Sequence, residues 1–230
     1  MKKHSFIIDS DDSFFKYLEH VSHDSYMVFR GITSEKYKLI PKIGRHKVTG
    51  TSFNKLFNSK EEKLILDLFI QRAYSYLSNI PDSVMERMVL AQHYGVPTRL
   101  LDWSYNPLIA AFFAVEQYSK DNSLIYYTKL PKNNILNVTF KIDPFKIRTP
   151  KFYFPNHSND RIKAQWGLFT ISPDPYKQLS IKNLKSAIIK NEYRKRLKKL
   201  LYTLGVHYAM IYPDMEGIGK HLYWLRTDIY

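Results

Sequence analysis

The sequence predicts an α+β fold: a single compact domain, 1–230, whose central, mostly antiparallel sheet, continuous or split, has helices packed around it. Three observations predict this. Short runs rich in β-branched and aromatic residues recur at 26–32, 124–128, 137–142, 167–171, 184–190 and 208–212. Stretches with helical apolar spacing lie between them. No internal repeat, low-complexity tract or linker divides the 230 residues, which are 44% hydrophobic and so sufficient for one core.

Taken in order, Asp9 to Ser13 caps an N-terminal helix anchored by Phe14, Phe15, Tyr17 and Leu18. The strand at 26–32 carries one odd member, Arg30, a cation that is costly on an apolar strand unless paired or aimed at an anion. Gly31 follows it and lets a ligand or another backbone approach. Residues 39–45 read as extended and turn-rich. Ser59 with Glu62 forms a capping box that opens a helix to about Leu77, and Ser83 with Glu86 forms a second one that opens a helix to Tyr94. Gly95 and Pro97 then bracket a turn. Residues 98–102 read as a short extended piece. Asn106 as N-cap and Pro107 at the first helical position open a helix of small and apolar residues, which should be buried.

Residues 149–155 read as a loop. After Arg161 comes a strand that ends before Ser172-Pro173. Asn191 caps a helix through Leu204, stopped by Gly205, with Leu197, Leu200, Leu201 and Leu204 inside. Arg194, Lys195, Arg196, Lys198 and Lys199 cover the rest, a face that is either solvated or touches a polyanion. Pro213 begins a last short helix.

The formal net charge of +14 points to polyanionic partners, namely nucleic acid, a nucleotide or an acidic protein. There is no cysteine, so disulfides and thiolate zinc sites are excluded. His207 and His221 stand alone, no ligand cluster has metal spacing, and no metal is expected. No signal-like or membrane-length apolar run is present, so a cytoplasmic protein without membrane contact is expected.

The least generic stretch is 90–114. Gln92, His93, Thr98, Arg99, Asp102 and Ser104 crowd into thirteen positions ahead of the buried helix. Such groups must satisfy one another or form a site. Ser104 has no His–Asp partner pattern, which argues against a serine hydrolase.

Phe29-Arg30-Gly31 resembles the motif that names the FRG domain family. Further blocks follow in family order: 39–45, Gln92 to Ser104, 161–169 and 212–222. Glu216 departs from the last block, where Asp is expected. The resemblance spans about 25–222. It implies a bacterial defence or toxin–antitoxin setting, including antiviral defence, and a relationship to the ADP-ribosyltransferase fold with NAD as substrate. On that fold Arg30 corresponds to the residue holding the nicotinamide ribose or phosphates, and Ser104 or Tyr105 to the strand-end position before a small-residue helix. Gln165-Trp166-Gly167 stands where Gln-x-Glu is expected, with Gly167 in the Glu position. Asp102, Asp214 or Glu216 then replaces that carboxylate.

Breaking the nicotinamide–ribose bond builds positive charge on the sugar, which a carboxylate stabilises. Under this implied reading Arg30, Asp102, Ser104 and Gln165 are catalytic. Arg30 and Arg99 serve the phosphates, and Gly31 offers backbone to the carboxamide. Tyr94, Trp103 and Tyr105 stack, and Gln92, His93 and Thr98 complete the binding set. Nucleic acid is the expected acceptor, and an acidic antitoxin or regulatory protein a further partner. Two other readings stay open. One is a non-catalytic nucleic-acid- or partner-binding module whose basic face lies elsewhere, for example along 194–199. The other is a metal-independent nuclease using His93 and a carboxylate.

Overall fold

A computed structural model describes residues 4–45, 47–48, 55–56, 59–136, 142–156 and 160–227. The strand expected at 137–142 lies almost wholly outside the described residues. The elements are β1 (Phe6–Ile8), α1 (Asp11–Ser22), β2 (Met27–Ile32), β3 (Lys47–Val48), β4 (Lys55–Leu56), α2 (Ser59–Ala73), α3 (Val84–His93), β5 (Leu100–Ser104), α4 (Pro107–Val115), β6 (Ser123–Lys129), β7 (Lys151–Tyr153), α5 (Asp160–Ala164), β8 (Gly167–Ile171), β9 (Lys185–Ile189), α6 (Asn191–Thr203), α7 (Tyr208–Ile211) and α8 (Met215–Thr227).

Seven strands form one sheet in the order β1-β9-β6-β2-β5-β8-β7, while β3 and β4 pair separately. Only the β1–β9 pairing is parallel among these strands. The fold is α+β, with the expected mostly antiparallel sheet.

Alternation along the strands sorts the core. Phe29, Ile125, Tyr127, Ala187 and Ile189 face α1, α4 and α6 in one cluster. Leu100, Phe169 and Ile171 pack with Leu66, Met88 and Ile162 of the α2, α3 and α5 side in a second. Val28, Leu101, Trp103, Leu124, Tyr126 and Leu168 form a third on the opposite face. The first two share one face of the sheet, and the boundary between them is the β2–β5 seam. There the ladder consists of one pair, Phe29 with Ser104, whereas β2–β6 and β5–β8 run for six and five pairs.

Gly31 is set by packing. A Cβ there would sit 1.9 Å from the Ala110 carbonyl oxygen and 2.6 Å from the Ala114 nitrogen. Helix α4 therefore lies directly on β2, so the close approach that Gly31 permits is made by another backbone and not by a ligand. The Asn106 side chain accepts from Leu108 N–H, with Pro107 in the first turn, as expected. Ser10 caps α1 reciprocally with Ser13.

Other local expectations are corrected. Glu62 is 2% exposed and bonds Arg99 through both carboxylate oxygens. Ser83 makes no side-chain cap, and Glu86 instead accepts from the Tyr153 hydroxyl and Asn156 N–H. The residue preceding α6, Lys190, has no cap bond either, while Gly205 does end the helix at φ +84°. Residues 208–211 are helical rather than extended, and 151–153 form an edge strand within the expected loop. No helix among the described residues is long and apolar enough to cross a membrane.

Candidate functional site

A cleft of about 930 Å³ opens along the β2–β5 seam. One wall is α3 and α5, with Val89, Gln92, His93, Arg161 and Gln165. The other is α4 and the residue after α7, with Ala110, Phe113, Glu116 and Tyr212. The 33–45 segment adds Lys36, Lys38 and Arg45. It is tied to the 92–104 region by Lys42 Nζ donating to the Gly95 carbonyl at 2.7 Å and Ile43 N–H to the Thr98 carbonyl at 3.4 Å.

Arg30 lies in the gap where the ladder stops. Its guanidinium donates to the Asp102 carbonyl and approaches Asp102 Oδ2 at 3.5 Å. A side-chain cation thus bonds a strand carbonyl where β2 supplies no ladder partner. Its side chain is 14% exposed, and its Nε is a buried donor without a partner. Burial works against its charge and Asp102 works for it. Asp102 is held from both sides, since Gln92 Nε2 donates to its Oδ1 at 2.7 Å. The Thr98 hydroxyl donates to Gln92 Oε1 and accepts from Leu100 N–H at 3.2 Å. Thr98, Gln92, Asp102 and Arg30 are therefore one connected network that orients a half-exposed carboxylate into the cleft.

The network does not include every residue of the stretch. Arg99 points away. It is 2% exposed, donates from Nε and Nη2 to Glu62 at 2.7–3.1 Å, and lies 4.7 Å over the Phe145 ring. A guanidinium engaged this way has no route to a phosphate in the cleft. Trp103 is core, with its indole N–H donating to Thr170 at 2.9 Å. Tyr105 stacks on Phe154 at 5.8 Å, and Tyr94, 64% exposed, lies against Phe69; neither lines the cleft. Ser104 is buried, donates to the Gln165 carbonyl at 2.7 Å and accepts from Asn106 N–H. Gln165 donates from Nε2 to the Ile211 carbonyl at 3.2 Å, which joins α5 to α7 across the cleft end.

Among the alternative carboxylates, Asp214 caps α8 through Gly217 N–H and meets Arg161 at 3.3 Å. Glu216 pairs with Lys220 on the outside of α8. Neither lines the cleft.

Sequence reasoning missed Glu116. It follows the α4 apolar run directly, and that run's certain burial was the available signal. Its Oε1 accepts the Tyr212 hydroxyl at 2.6 Å. Burial pushes its carboxyl up, against the Tyr212 hydrogen bond and the cations Lys220, Lys198 and Arg161. Burial and Glu116 together push the Tyr212 phenol far up. His93 is lowered by burial and by Arg161, with Asp214 opposing. Lys198 Nζ and the Tyr208 hydroxyl both donate to the Glu116 carbonyl, and Arg194 donates to the carbonyls of Thr33, Ala114 and Gln117. These cations bind the α4 C-terminus, where the helix dipole favours them.

The basic run of α6 is thereby divided between an inner and an outer face. Arg194 and Lys198 are 2% and 4% exposed, and Arg196 pairs with Asp11. Lys195, Arg196 and Lys199 stay exposed on the outer side of the helix.

The FRG domain family model matches residues 25–123. Over that stretch the chain is similar to the FRG domain family. The matched FRG segment contains Arg30, Gln92, Asp102 and Glu116, while Arg161, Gln165 and Tyr212 complete the cleft from beyond it. Neither the curated proteins nor the solved structures contain a match to the chain.

Proposed function

We propose that this chain is an NAD-dependent ADP-ribosyltransferase that holds NAD in the seam cleft and modifies nucleic acid. The observation that carries this reading is the parted β2–β5 seam with the Arg30 guanidinium in it, its buried Nε still able to donate. The described lining holds five cations (Arg30, Lys36, Lys38, Arg45 and Arg161) against two carboxylates (Asp102 and Glu116), a balance that favours an anionic ligand such as a pyrophosphate.

In the reaction, nicotinamide leaves C1′ of the ribose with the bonding electron pair, and an acceptor atom of the nucleic acid attacks that carbon. Asp102, oriented by Gln92 and Arg30, is suited to stabilise the positive sugar. Glu116, with its raised proton affinity, is suited to take the proton the acceptor loses. Tyr212 steadies Glu116, and Arg30 bonds the phosphates or ribose. Such an activity on cellular nucleic acid fits a toxin or antiviral-defence role, with an acidic antitoxin as regulator of a chain of charge +14.

The test is incubation with labelled NAD and RNA, single-stranded DNA or duplex DNA, beside Arg30→Ala, Asp102→Asn and Glu116→Gln with folding verified. Wild type transfers label to one class. Arg30→Ala loses NAD affinity in calorimetry, whereas Asp102→Asn and Glu116→Gln keep affinity and lose rate by on the order of 10²–10⁴-fold. Absence of both transfer and NAD binding overturns the reading.

A further inference from the structure

Two bulky aromatics stand where the backbone disfavours them. Tyr26, before β2, has φ +61°, and Trp166, between α5 and β8, has φ +48°. The left-handed conformation is unfavourable for a residue with a Cβ, so glycine or asparagine usually occupies it. Burial does not repay that cost here, because Tyr26 is 71% and Trp166 57% exposed. Both residues nevertheless line one hollow of about 500 Å³, together with Tyr105, Pro107, Met27, Phe29 and one charged residue, Asp24. Strained backbone that presents side chains to solvent, twice at one place, marks a binding surface.

We infer that this hollow is a stacking subsite for an unpaired base of a single-stranded nucleic acid. Three observations select that occupant. The rings are exposed π-faces, on which every base stacks. Lys129, opposite Met27 in the sheet and paired with the lining residue Asp24, has a side chain 64% exposed. That pair, at 3.3 Å with both side chains more than half exposed, is a surface pair of little strength, so Lys129 can turn to a phosphate. The net charge of +14 supplies attraction at longer range. Phe29 lines both this hollow and the seam cleft, and Gln165, beside Trp166, lines the cleft. A strand anchored at the hollow thus lies next to the proposed transfer site. The assignment of the base to an acceptor strand rests on the transferase reading; the stacking itself does not.

Of the three tryptophans, Trp103 and Trp224 are 3% and 8% exposed, so Trp166 is the solvent-facing reporter. The experiment follows tryptophan fluorescence and, separately, the anisotropy of labelled octathymidylate, without NAD. The oligonucleotide should quench wild type, and Trp166→Leu should lose the quench. Trp166→Leu and Tyr26→Ser should each weaken binding on the order of tenfold, with an unchanged salt slope. An abasic octamer should bind wild type no better than octathymidylate binds the double variant. Trp166→Gly, which suits the left-handed backbone, should bind as weakly as Trp166→Leu while melting no lower than wild type. Equal binding by wild type and Trp166→Leu, or equal binding of abasic and base-bearing octamers, overturns the proposal. A marked drop in the melting temperature of Trp166→Gly does so too, since it would make the ring structural. NAD calorimetry on Trp166→Leu separates the two readings: intact NAD binding with unaltered DNA binding sinks the subsite alone.

Discussion

At the scale of the residue, two arginines that look alike in sequence have opposite fates. Arg30 and Arg99 both border apolar strands. Arg99 meets Glu62, and both are almost fully buried. The pair joins α2 to the start of β5 from 37 residues away. Nothing local in the sequence announces this, because Glu62 sits where a capping box would place it. Removing one member of such a pair leaves the other as an unpaired buried charge, which typically costs about 3–5 kcal/mol. Glu62→Gln should therefore lower the urea midpoint strongly while leaving NAD affinity in the remaining folded fraction unchanged. A small shift would mean that Arg99 keeps enough bonds through the Pro144 and Ser172 carbonyls at 3.3 and 3.5 Å. Arg30 was legible as anomalous because its strand has no other charge. Its insertion into the seam was not, since that depends on β5, 70 residues later.

At the scale of the element, helices with caps or long apolar faces, and strands with several β-branched or aromatic residues, could be read directly. The failures were short. Strand β7 is extended because β8 lies beside it, and α7 is a single turn held between α5 and α8, so tertiary contacts outweigh weak local preference. The α7–α8 junction carries a feature that no spacing showed. The rings of His207, at the N-terminus of α7, and His221, on α8, stack at 4.2 Å with both Nδ1 atoms buried and unpartnered. Burial lowers both, and His207 lowers His221 further. The unfolded chain, with histidines near 6.5, therefore takes up protons first as pH falls. The contribution of the pair is complete above about pH 6.5 and is lost as pH drops through the folded values. Urea midpoints at pH 7.5 and 5.5 should differ more for wild type than for His207→Phe/His221→Phe. His93, also lowered, stays in both proteins and cancels from the comparison. An equal pH effect in the two proteins would remove the pair as its source.

At the scale of the whole molecule, the first and second core clusters share one face of the sheet but meet at a seam with one ladder pair. The cleft exists because these halves are each well packed and poorly joined. The sequence held the parts of both halves, yet the seam is an absence of pairing, and absences have no residue pattern. A ligand that bridges Arg30 on one side and the α3–α5 wall on the other adds contacts the apo seam lacks, so it should stabilise the fold as a unit. At a hundredfold excess over Kd, linkage gives about 2.7 kcal/mol. For a chain of this length each kcal/mol moves Tm by roughly 2–4 °C, so NAD should raise Tm by roughly 5–10 °C. Differential scanning fluorimetry with NAD, ADP-ribose and nicotinamide measures this. Arg30→Ala should show little shift with the first two, because the bridge is lost at its β2 end. A shift with nicotinamide alone, or an undiminished shift in Arg30→Ala, would place the binding energy somewhere other than the Arg30 end of the seam.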